Sequence, residues 1–452
     1  MLELGCGDGG NLVPMALGLP NASFVGLDAA PVAIARGAGL IDALELPNIT
    51  LHAESIEDFA PAAGAFDYVI AHGVYSWVGP AVRDRLLATC RRALADHGVA
   101  YVSYNALPGG RVREALRDML RFHTAEFAEP AERVAQGRAL LRFLLEGWPA
   151  EHDFAAVMRR QAQGALDRGD ANLLHDDLAE VNEPVYFHEL VAHAERHGLQ
   201  YLAEADFFEM PTGVLSEPVA ETLRGVEDPI RREQYLDFLK GRMFRQTLLC
   251  RAEHELDRTP RPEVVERLVV STPARARGGP DAEGAVTFEG PTGSTLATDH
   301  PLVRAALERV ADAWPAAVWA RELIPTGSSP EDRAALCDAL LRSYAANLVQ
   351  LHAHPPALTT TPGETPEASP LARHQARSGD MVTNLRHVSV RIEDDLGREL
   401  VTLLDGTRDR AALAADLARF LRARGERLAE ADLRAGLDRS LQGLATLALL
   451  RS

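Results

Sequence analysis

The fold of this chain is decided by the stretch MLELGCGDGG, residues 1–10. Its apolar start predicts the end of a β-strand, and the glycines after it predict a tight loop, because glycine adopts backbone angles that other residues avoid. A helical pattern begins at about residue 11, so the amide groups at the start of that helix would face a ligand of the loop. The stretch therefore predicts a strand–loop–helix unit that can hold a nucleotide.

Short apolar runs alternate with helical patterns through the first 105 residues, which is typical of a parallel α/β sheet. Asp28 closes the second run, where a carboxylate can accept hydrogen bonds from both hydroxyls of a ribose. Two later runs, at 199–204 and 244–251, are expected to complete the same sheet. The other expected strands lie at 1–4, 22–28, 49–54, 66–72 and 99–105, with helices at 11–18, 31–46 and 80–95.

The sheet domain is expected to be interrupted by a helical cap, because the residues after about position 110 show helical patterns alone. Beyond the sheet, two small units of mixed α and β structure are predicted to be winged-helix-like. Residues 217–240 and 330–352 are each predicted to form one helix. The expected boundaries are 1–110 and 183–255 for the sheet domain, 111–182 for the cap, 256–354 and 371–452 for the winged-helix-like units, and 355–370 for a Pro/Thr-rich linker.

Charge and cysteine usage restrict the partners and the compartment. With 65 acidic and 47 basic residues the formal net charge is −18, whereas nucleic-acid and anionic-membrane binders usually present a basic surface, so neither partner is expected. No apolar run approaches the roughly 20 residues of a membrane span. The four cysteines form no CxxC pair and no metal-like spacing, which predicts a reducing cytoplasm and no bound metal.

The glycine loop satisfies two motif patterns. Gly5-x-Gly7-x-x-Gly10 matches the dinucleotide fingerprint, whereas Glu3-x-Gly5-x-Gly7-x-Gly9 matches the first motif of class I S-adenosylmethionine-dependent methyltransferases, which it closely resembles. The second pattern is favoured because a dehydrogenase would show a second mononucleotide-binding half. A dinucleotide site and a structural loop without a ligand remain the alternatives.

The resemblance implies a Rossmann-like sheet, S-adenosylmethionine as cofactor, and a set of contacts along the sheet edge. In such enzymes the turn after the third strand, here Ser55-Ile56, contacts adenine, and the fourth strand leads into an acceptor-side loop, here HGVYSWV (72–78). Cys6 is interpreted as a small filler in the loop and not as a nucleophile. The residues expected to bind the cofactor are Glu3, Gly5, Cys6, Gly7, Gly9, Asn11, Asp28, Ser55, Ile56 and His72.

A closer resemblance covers nearly the whole chain. It is carried by HGVYSWV (72–78), SYNALPGG (103–110), NEPVYFHELVAHAERHGLQYLAEADF (182–207) and REQYLDFLKGRMFRQTLLCR (232–251). These strings are similar to bacterial methyltransferases that carry a methyltransferase regulatory domain, among them protein-lysine methyltransferases of outer-membrane proteins. The resemblance implies a helical region over the acceptor site and a C-terminal region used for assembly or substrate contact.

The acceptor in this interpretation is a lysine amine, which must lose a proton before it is methylated. With an ordinary pKa near 10.4, that step costs roughly 4 kcal/mol at pH 7.4, and a dry aromatic pocket lowers the pKa. His72 is a candidate proton acceptor and Asn105 a candidate for orienting the amine. Tyr75 and Trp77 are alternatively ordinary packing residues. The residues expected at the acceptor site are His72, Tyr75, Trp77, Tyr104 and Asn105.

Several alternatives stay open. Asp177 and Glu180 are expected either to meet a cationic acceptor or to form a solvated helix face. The methyl acceptor is a protein or a small molecule, since an O- or N-methyltransferase of secondary metabolism and an inactive cofactor-binding regulatory partner fit the same motifs. The C-terminal units mix arginine with nearly equal numbers of acidic residues, which favours protein contact or a homodimer over nucleic-acid binding.

The N-terminus departs from the resembling family, whose members carry several dozen residues before the first motif. Those residues complete the first strand and cover the cofactor. The sheet is therefore expected to be N-terminally truncated, and a protein extended upstream is expected to bind the cofactor more tightly.

Overall fold

The computed structural model describes residues 1–149, 151–210, 215–282, 284–426 and 428–452. These residues form two compact units, each built from several chain segments. The first unit comprises Met1–Gly9, Phe24–Gly37 and Thr50–Asp257, and the second comprises Gly10–Ser23, Ala38–Ile49 and Arg258–Ser452.

A seven-stranded sheet in the order β3-β2-β1-β4-β5-β7-β6 organises the first part of the chain. The strand β1 pairs in parallel with β2 and β4, and β7 is antiparallel to both of its neighbours. This topology confirms the expected Rossmann-like class I methyltransferase sheet. The strands are β1 (Leu2–Leu4), β2 (Phe24–Asp28), β3 (Ile49–Ala53), β4 (Phe66–Ala71), β5 (Leu94–Asn105), β6 (Leu199–Glu204) and β7 (Phe244–Arg251).

Ten helices accompany these strands among the described residues up to position 257. Three of them, α4 to α6, pack around their own core, which includes Leu120, Leu141 and Met158. A π-helical turn at Leu173–Asp177 closes this helical insertion. The helices are α1 (Leu12–Gly18), α2 (Pro31–Ala43), α3 (Pro80–Ala93), α4 (Gly110–Thr124), α5 (Pro130–Gly147), α6 (Asp153–Asp167), α7 (Asp170–Asn172), α8 (Phe187–Arg196), α9 (Glu217–Arg224) and α10 (Pro229–Lys240).

The core of the first unit is apolar over long runs, as expected for strands covered on both faces. Leu2, Leu4 and Val69 of the sheet pack in one cluster with Leu86 of α3 and Leu190 of α8. Because β1, β2, β4 and β5 are parallel, their carboxyl ends meet at one edge, where ligands of open α/β sheets bind. The fold therefore brings the loops after these strands together.

The second unit contains two further hydrophobic cores. One lies among residues 265–349 and the other among residues 368–450, where the hairpin β14–β15 and four helices form the C-terminal winged-helix domain. The helices after residue 257 are α11 (Pro301–Ala313), α12 (Pro330–Ala345), α13 (Pro370–Ala376), α14 (Asp395–Leu403), α15 (Arg410–Ala423) and α16 (Glu430–Thr446), and the last four belong to the winged-helix domain. The strands after residue 257 are β8 (Val269–Ser271), β9 (Arg275–Ala276), β10 (Val286–Glu289), β11 (Thr295–Thr298), β12 (Val318–Trp319), β13 (Gln350–His352), β14 (Met381–Thr383) and β15 (Ser389–Arg391).

Two of the expected long helices are wrong. Residues 217–240 form α9 and α10, because Pro229 starts a new helix whose first amides are capped by the Asp228 carboxylate. The α12 helix ends at Ala345, and Asn347 takes a positive φ of 56° before the chain enters β13. No helix within the described ranges is both long and apolar enough to span a membrane.

Candidate active site

The glycine loop between β1 and α1 turns through three left-handed residues. Gly5, Gly7 and Gly9 have φ values of +74°, +57° and +77°, which other residues rarely adopt. A Cβ at Gly5 would lie 2.5 Å from Cγ2 of Val74, so this side of the loop is packed. A Cβ at Gly7 would meet nothing within 4 Å, so the backbone there faces open space that a ligand can enter.

Asp28 is fixed beside this loop by two backbone amides. Gly7 donates its N–H to Oδ2 at 2.9 Å, and Ala30 donates to Oδ1 at 2.8 Å. Each carboxylate oxygen has a second acceptor direction, so hydroxyl donors can still bind. The loop and the carboxylate therefore form one preorganised unit, as the spacing of the sequence predicts.

The turn after β3 lies next to Asp28 at the end of β2. Glu54 donates its N–H to the carbonyl of Asp28 at 3.0 Å, and Ser55 Oγ accepts the N–H of Glu57 at 3.2 Å. Ile56 is buried within the core cluster of the first unit. An apolar side chain that keeps 8% of its surface exposed beside a polar turn is suited to the flat face of a base.

Cys6, Glu3 and Asn11 have different environments. Burial raises the pKa of the Cys6 thiol to about 12, so it stays protonated at neutral pH and acts as a small apolar side chain. Glu3 is buried in β1, and Asn11 precedes α1 in the second unit. The cofactor roles of Glu3 and Asn11 stay predictions.

His72, at the end of β4, belongs to a hydrogen-bond chain that crosses the sheet. Its Nδ1 lies 3.0 Å from the hydroxyl of Tyr101, which in turn donates to Gln246 Oε1 at 2.6 Å. The amide nitrogen of Gln246 donates to the carboxylate of Asp206 at 2.5 Å. The hydroxyl of Ser103 accepts the N–H of Gly73 and lies 3.4 Å from His72 Nδ1.

This chain determines which nitrogen of His72 holds the proton. The Asp206 carboxylate only accepts, so Gln246 presents its oxygen to Tyr101 and the Tyr101 proton points toward Gln246. The Tyr101 oxygen then accepts a hydrogen bond from the Nδ1–H of His72, and Nε2 is left with its lone pair. Burial lowers the pKa of His72 and raises that of Tyr101 to about 12, so both are neutral at pH 7. The arrangement can position His72 Nε2 as a base.

Tyr75 and Tyr104 lie in the core, which differs from the expected acceptor pocket. Their rings meet edge to face with 6.1 Å between centroids, and they are 3% and 1% exposed. The Tyr75 hydroxyl lies 2.8 Å from His193 Nδ1, and the Tyr104 hydroxyl lies 3.2 Å from Thr247 Oγ1. A ring without accessible surface cannot touch a substrate, so in this structure both residues pack and hydrogen bond.

Asn105 does line open space. A cavity of about 150 Å³ is bounded by Asn105, Gly110, Arg113, Asn182, Pro184, Met243 and Phe244. The Asn105 side chain donates its Nδ2 to Asn182 Oδ1 at 2.7 Å, which leaves the Asn105 amide oxygen as an acceptor. Trp77 is half-buried and lies under the guanidinium of Arg117, 5.5 Å from the ring centroid. This cavity is the strongest candidate for an acceptor site.

Asp177 does not offer a free carboxylate to a cationic acceptor. Its carboxylate is fully buried and is bound by Arg113 at 3.1 Å and Arg168 at 2.9 Å. Because two guanidinium groups already neutralise it, it cannot meet a cationic acceptor. Glu180 is exposed.

The hydrogen-bond partners of His72 were missed by the sequence interpretation. Tyr101 and Ser103 precede Asn105 in β5 at two-residue steps, and residues at this spacing share one face of a strand. That spacing was a usable signal. Gln246 and Asp206 carried no such signal, because their positions depend on how β6 and β7 join the sheet.

Three family profiles match separate parts of the chain. Residues 2–100 match a methyltransferase domain, residues 169–251 match a predicted methyltransferase regulatory domain, and residues 364–449 match the C-terminal winged helix domain of PKMT. The three matches are consistent with the sheet, the segment around α8 to β7, and the last winged-helix domain.

Two proteins of Rickettsia prowazekii are similar to this chain in sequence. Uncharacterized protein RP789 of Rickettsia prowazekii is 42% identical over 261 residues, which is 57% of this chain and 47% of that protein. Uncharacterized protein RP028 of the same organism is 32% identical over 203 residues, covering 45% of this chain and 81% of that protein. The chain therefore spans about half the length of the first relative and most of the second.

The structure of PKMT2 from Rickettsia typhi superposes with a TM-score of 0.87 at 25% identity, covering 99% of this chain and 93% of that chain. A second structure of PKMT2, in complex with AdoHcy, gives a TM-score of 0.86 over the same coverage and at the same identity. Together with the glycine loop, Asp28 and the strand order, these matches show that the chain belongs to the class I S-adenosylmethionine-dependent methyltransferases that carry a methyltransferase regulatory domain and a PKMT-type winged helix.

Proposed function

We propose that this chain transfers a methyl group from S-adenosylmethionine to lysine side chains of a protein. The observation that carries the proposal is the glycine loop held to Asp28 in a chain that resembles PKMT2 over almost its whole length. The lysine acceptor is supported by the PKMT winged helix and by the sequence resemblance to protein-lysine methyltransferases. A small-molecule acceptor is the first alternative.

The residues of the sheet edge fit the cofactor. The open side of Gly7 accommodates the amino-acid part, Asp28 accepts the ribose hydroxyls, and Ile56 packs against adenine with Ser55 beside it. Backbone amides of the loop supply donors for the carboxylate. When bound, S-adenosylmethionine supplies an electrophilic methyl group on a sulfonium.

The acceptor is expected to enter the cavity beside Asn105. Pro184, Met243 and Phe244 give this cavity an apolar wall that disfavours a charged ammonium, and Arg113 at its edge disfavours it further. The Asn105 oxygen accepts a hydrogen bond from the amine and so aims the nitrogen lone pair. His72 Nε2 accepts the proton that the amine gives up, directly or through one water.

The test is incubation with methyl-labelled S-adenosylmethionine and a lysate, followed by separate recovery of protein and of small molecules. Methyl-lysine in protein is expected, with loss of label for His72→Gln and Asn105→Ala. Since Lys240 is the only lysine of the chain, intact mass and a Lys240→Arg variant separate self-methylation from a foreign acceptor. Label in the small-molecule fraction favours the first alternative, and AdoHcy binding without label favours an inactive regulatory partner.

The compartment and the assembly are part of the same proposal. The four cysteines are free and buried, which is consistent with the cytoplasm. A homodimer through the C-terminal region stays a prediction.

A further inference from the structure

A second cluster of chemically active side chains lies behind the acceptor-side loop. Asp84 on α3 accepts from two histidines of the α8 segment through one oxygen, Oδ1. His193 Nε2 lies 3.2 Å from this oxygen and His197 Nε2 lies 2.8 Å from it. The three ligand atoms all lie within 4.8 Å of one another. None of these residues belongs to the proposed cofactor or acceptor sites.

The spacing of the two histidines suits metal chelation. Residues at i and i+4 share one face of a helix, and His197, which caps the end of α8, still brings its Nε2 to the same Asp84 oxygen as His193. Imidazole nitrogen and carboxylate oxygen are the ligands that Zn²⁺ and related ions take, and three protein ligands plus water make a four-coordinate site. Ligands at about 2.0–2.1 Å in a tetrahedron are about 3.3 Å apart, close to the two His–Asp separations here.

The other ring nitrogen of His193 is also held. Its Nδ1 lies 2.8 Å from the Tyr75 hydroxyl, and metal-bound histidines usually bind a second partner in this way. Tyr75 begins the short turn Tyr75–Trp77 that follows His72, so the cluster contacts the acceptor-side loop.

We propose that Asp84, His193 and His197 bind a divalent transition-metal ion, with Zn²⁺ as the best match. The ion joins α3 of the methyltransferase sheet to the His197 end of α8, which lies in the regulatory-domain segment. When the ion replaces the Nε2 protons of His193 and His197, each proton moves to Nδ1 of the same ring. Nδ1 of His193 then donates to the Tyr75 oxygen, and the Tyr75 proton turns away from His193. The ion thereby changes Tyr75 from a donor to an acceptor.

Without an ion, the same contacts are two ordinary hydrogen bonds from imidazole N–H groups to the Asp84 carboxylate, whose side chain is 60% exposed. The Arg196 side chain is close enough to oppose a cation electrostatically. Two imidazoles and one carboxylate beside this arginine therefore predict micromolar binding, and not the affinity of a four-cysteine site.

The test is calorimetric titration of ZnCl₂ into the chelator-treated full chain. One saturable site with a micromolar dissociation constant is expected, and Co²⁺ at that site should give a visible d–d absorption of tetrahedral type. The double variant His193→Gln/His197→Gln should lose the site, whereas His152→Gln, which removes an exposed histidine of the helical insertion, should keep it. Circular dichroism of each variant checks that it is folded.

Tyr75→Phe gives a second measure that does not remove a ligand. It deletes only the partner of His193 Nδ1, so affinity for Zn²⁺ should fall about 10–100-fold while the stoichiometry stays at one. The more exposed cluster of Asp96, His97 and His254 supplies an internal comparison, because His254→Gln should leave the affinity for Zn²⁺ unchanged if the ion binds at Asp84, His193 and His197. Absence of saturable binding, or equal binding by wild type and the double variant, would overturn the proposal.

Discussion

At the residue scale, Asp28 is the side chain that links the glycine loop to the second strand. Its two oxygens accept separate backbone amides from Gly7 and Ala30, which orients the carboxylate before any ligand binds. A carboxylate that is already oriented loses little entropy when it accepts hydroxyl donors. The negative charge also makes each such hydrogen bond stronger than a neutral one.

Asp28→Asn should therefore weaken AdoHcy binding. The loss of at least one charge-assisted hydrogen bond costs about 1.5–3 kcal/mol, which corresponds to a roughly tenfold to 100-fold higher dissociation constant. Calorimetric titration measures this, with Asp42→Asn on the exposed face of α2 as the matched control. Equal affinity for wild type and Asp28→Asn would remove the proposed ribose contact.

His72 supplies a prediction about pH. Because burial lowers its pKa below the ordinary 6.5, the loss of methyl transfer caused by protonation of His72 should appear only below pH 6.5, separate from the fall at higher pH caused by protonation of the acceptor amine. Tyr101→Phe removes the acceptor of the Nδ1 proton, so kcat should fall at least tenfold while AdoHcy affinity is unchanged. A pH profile of methyl transfer measures both effects. An unchanged kcat in Tyr101→Phe would show that the hydrogen-bond chain does not position His72.

At the scale of elements, the loop depends on how α2 packs against it. A Cβ on Gly37 of α2 would lie 2.4 Å from the carbonyl oxygen of Asp8 and 2.5 Å from Cδ1 of Leu51. The Leu51 side chain can move by rotating, but the Asp8 carbonyl cannot move without shifting the glycine loop. Gly39, two residues further along the same helix, has no atom within 4 Å of the position of a Cβ.

Gly37→Ala should displace the loop, lower the melting temperature and weaken AdoHcy binding by tenfold or more. Gly39→Ala is the matched control, and it should leave affinity unchanged and stabilise α2 by about 0.5–1 kcal/mol, since alanine is the better helix former. Thermal melting and calorimetry of the two variants measure these effects. Similar behaviour of both variants would show that the contact with Asp8 does not position the loop.

The helical insertion is held by an equally specific contact. Asp177 is buried between Arg113 of α4 and Arg168, which follows α6. Asp177→Ala should lower the free energy of unfolding by about 3 kcal/mol, the lower end for broken buried ion pairs, because both arginines keep some contact with water.

Urea unfolding measures this change. Asp170→Ala, which removes the exposed partner of Arg138, is the control and should change stability little. A loss no larger for Asp177→Ala than for Asp170→Ala would show that the buried pair does not hold the insertion.

The elements also show how far sequence reasoning reaches. The strands and the loop were predictable because alternation, glycine spacing and Asp28 are local patterns. The candidate acceptor cavity was only partly predictable. Tyr104 and Asn105 are neighbours in β5 and so face opposite sides of the sheet, which two-residue periodicity could have shown. The contacts of Tyr75 with His193 and of Asp177 with two arginines come from segments far apart in sequence, and no local pattern reports them.

At the scale of the whole molecule, charge decides the partner class of the C-terminal winged-helix domain. Its arginines are largely engaged by carboxylates of the same domain, as in the pairs Arg408–Asp416 at 3.0 Å and Arg410–Asp438 at 3.0 Å. The chain as a whole carries a net charge of −18. Among the residues that the structure describes, a winged-helix domain whose arginines are mostly paired with carboxylates offers few of the phosphate contacts on which DNA affinity depends.

The full chain should therefore not bind duplex DNA. Fluorescence anisotropy with a labelled 20-base-pair duplex is expected to show no binding at 50 mM salt, where electrostatic binding is strong. Affinity that falls steeply between 50 and 200 mM salt would contradict the proposed protein-contact role of the domain.

The most direct test of the central claim is a crystal structure of this chain with AdoHcy. The ribose hydroxyls should lie within hydrogen-bond distance of the Asp28 carboxylate, with adenine against Ile56 and the amino-acid part on the open side of Gly7. AdoHcy bound elsewhere, or a nicotinamide or flavin in its place, would contradict the assignment of this edge of the sheet as the methyl-donor site.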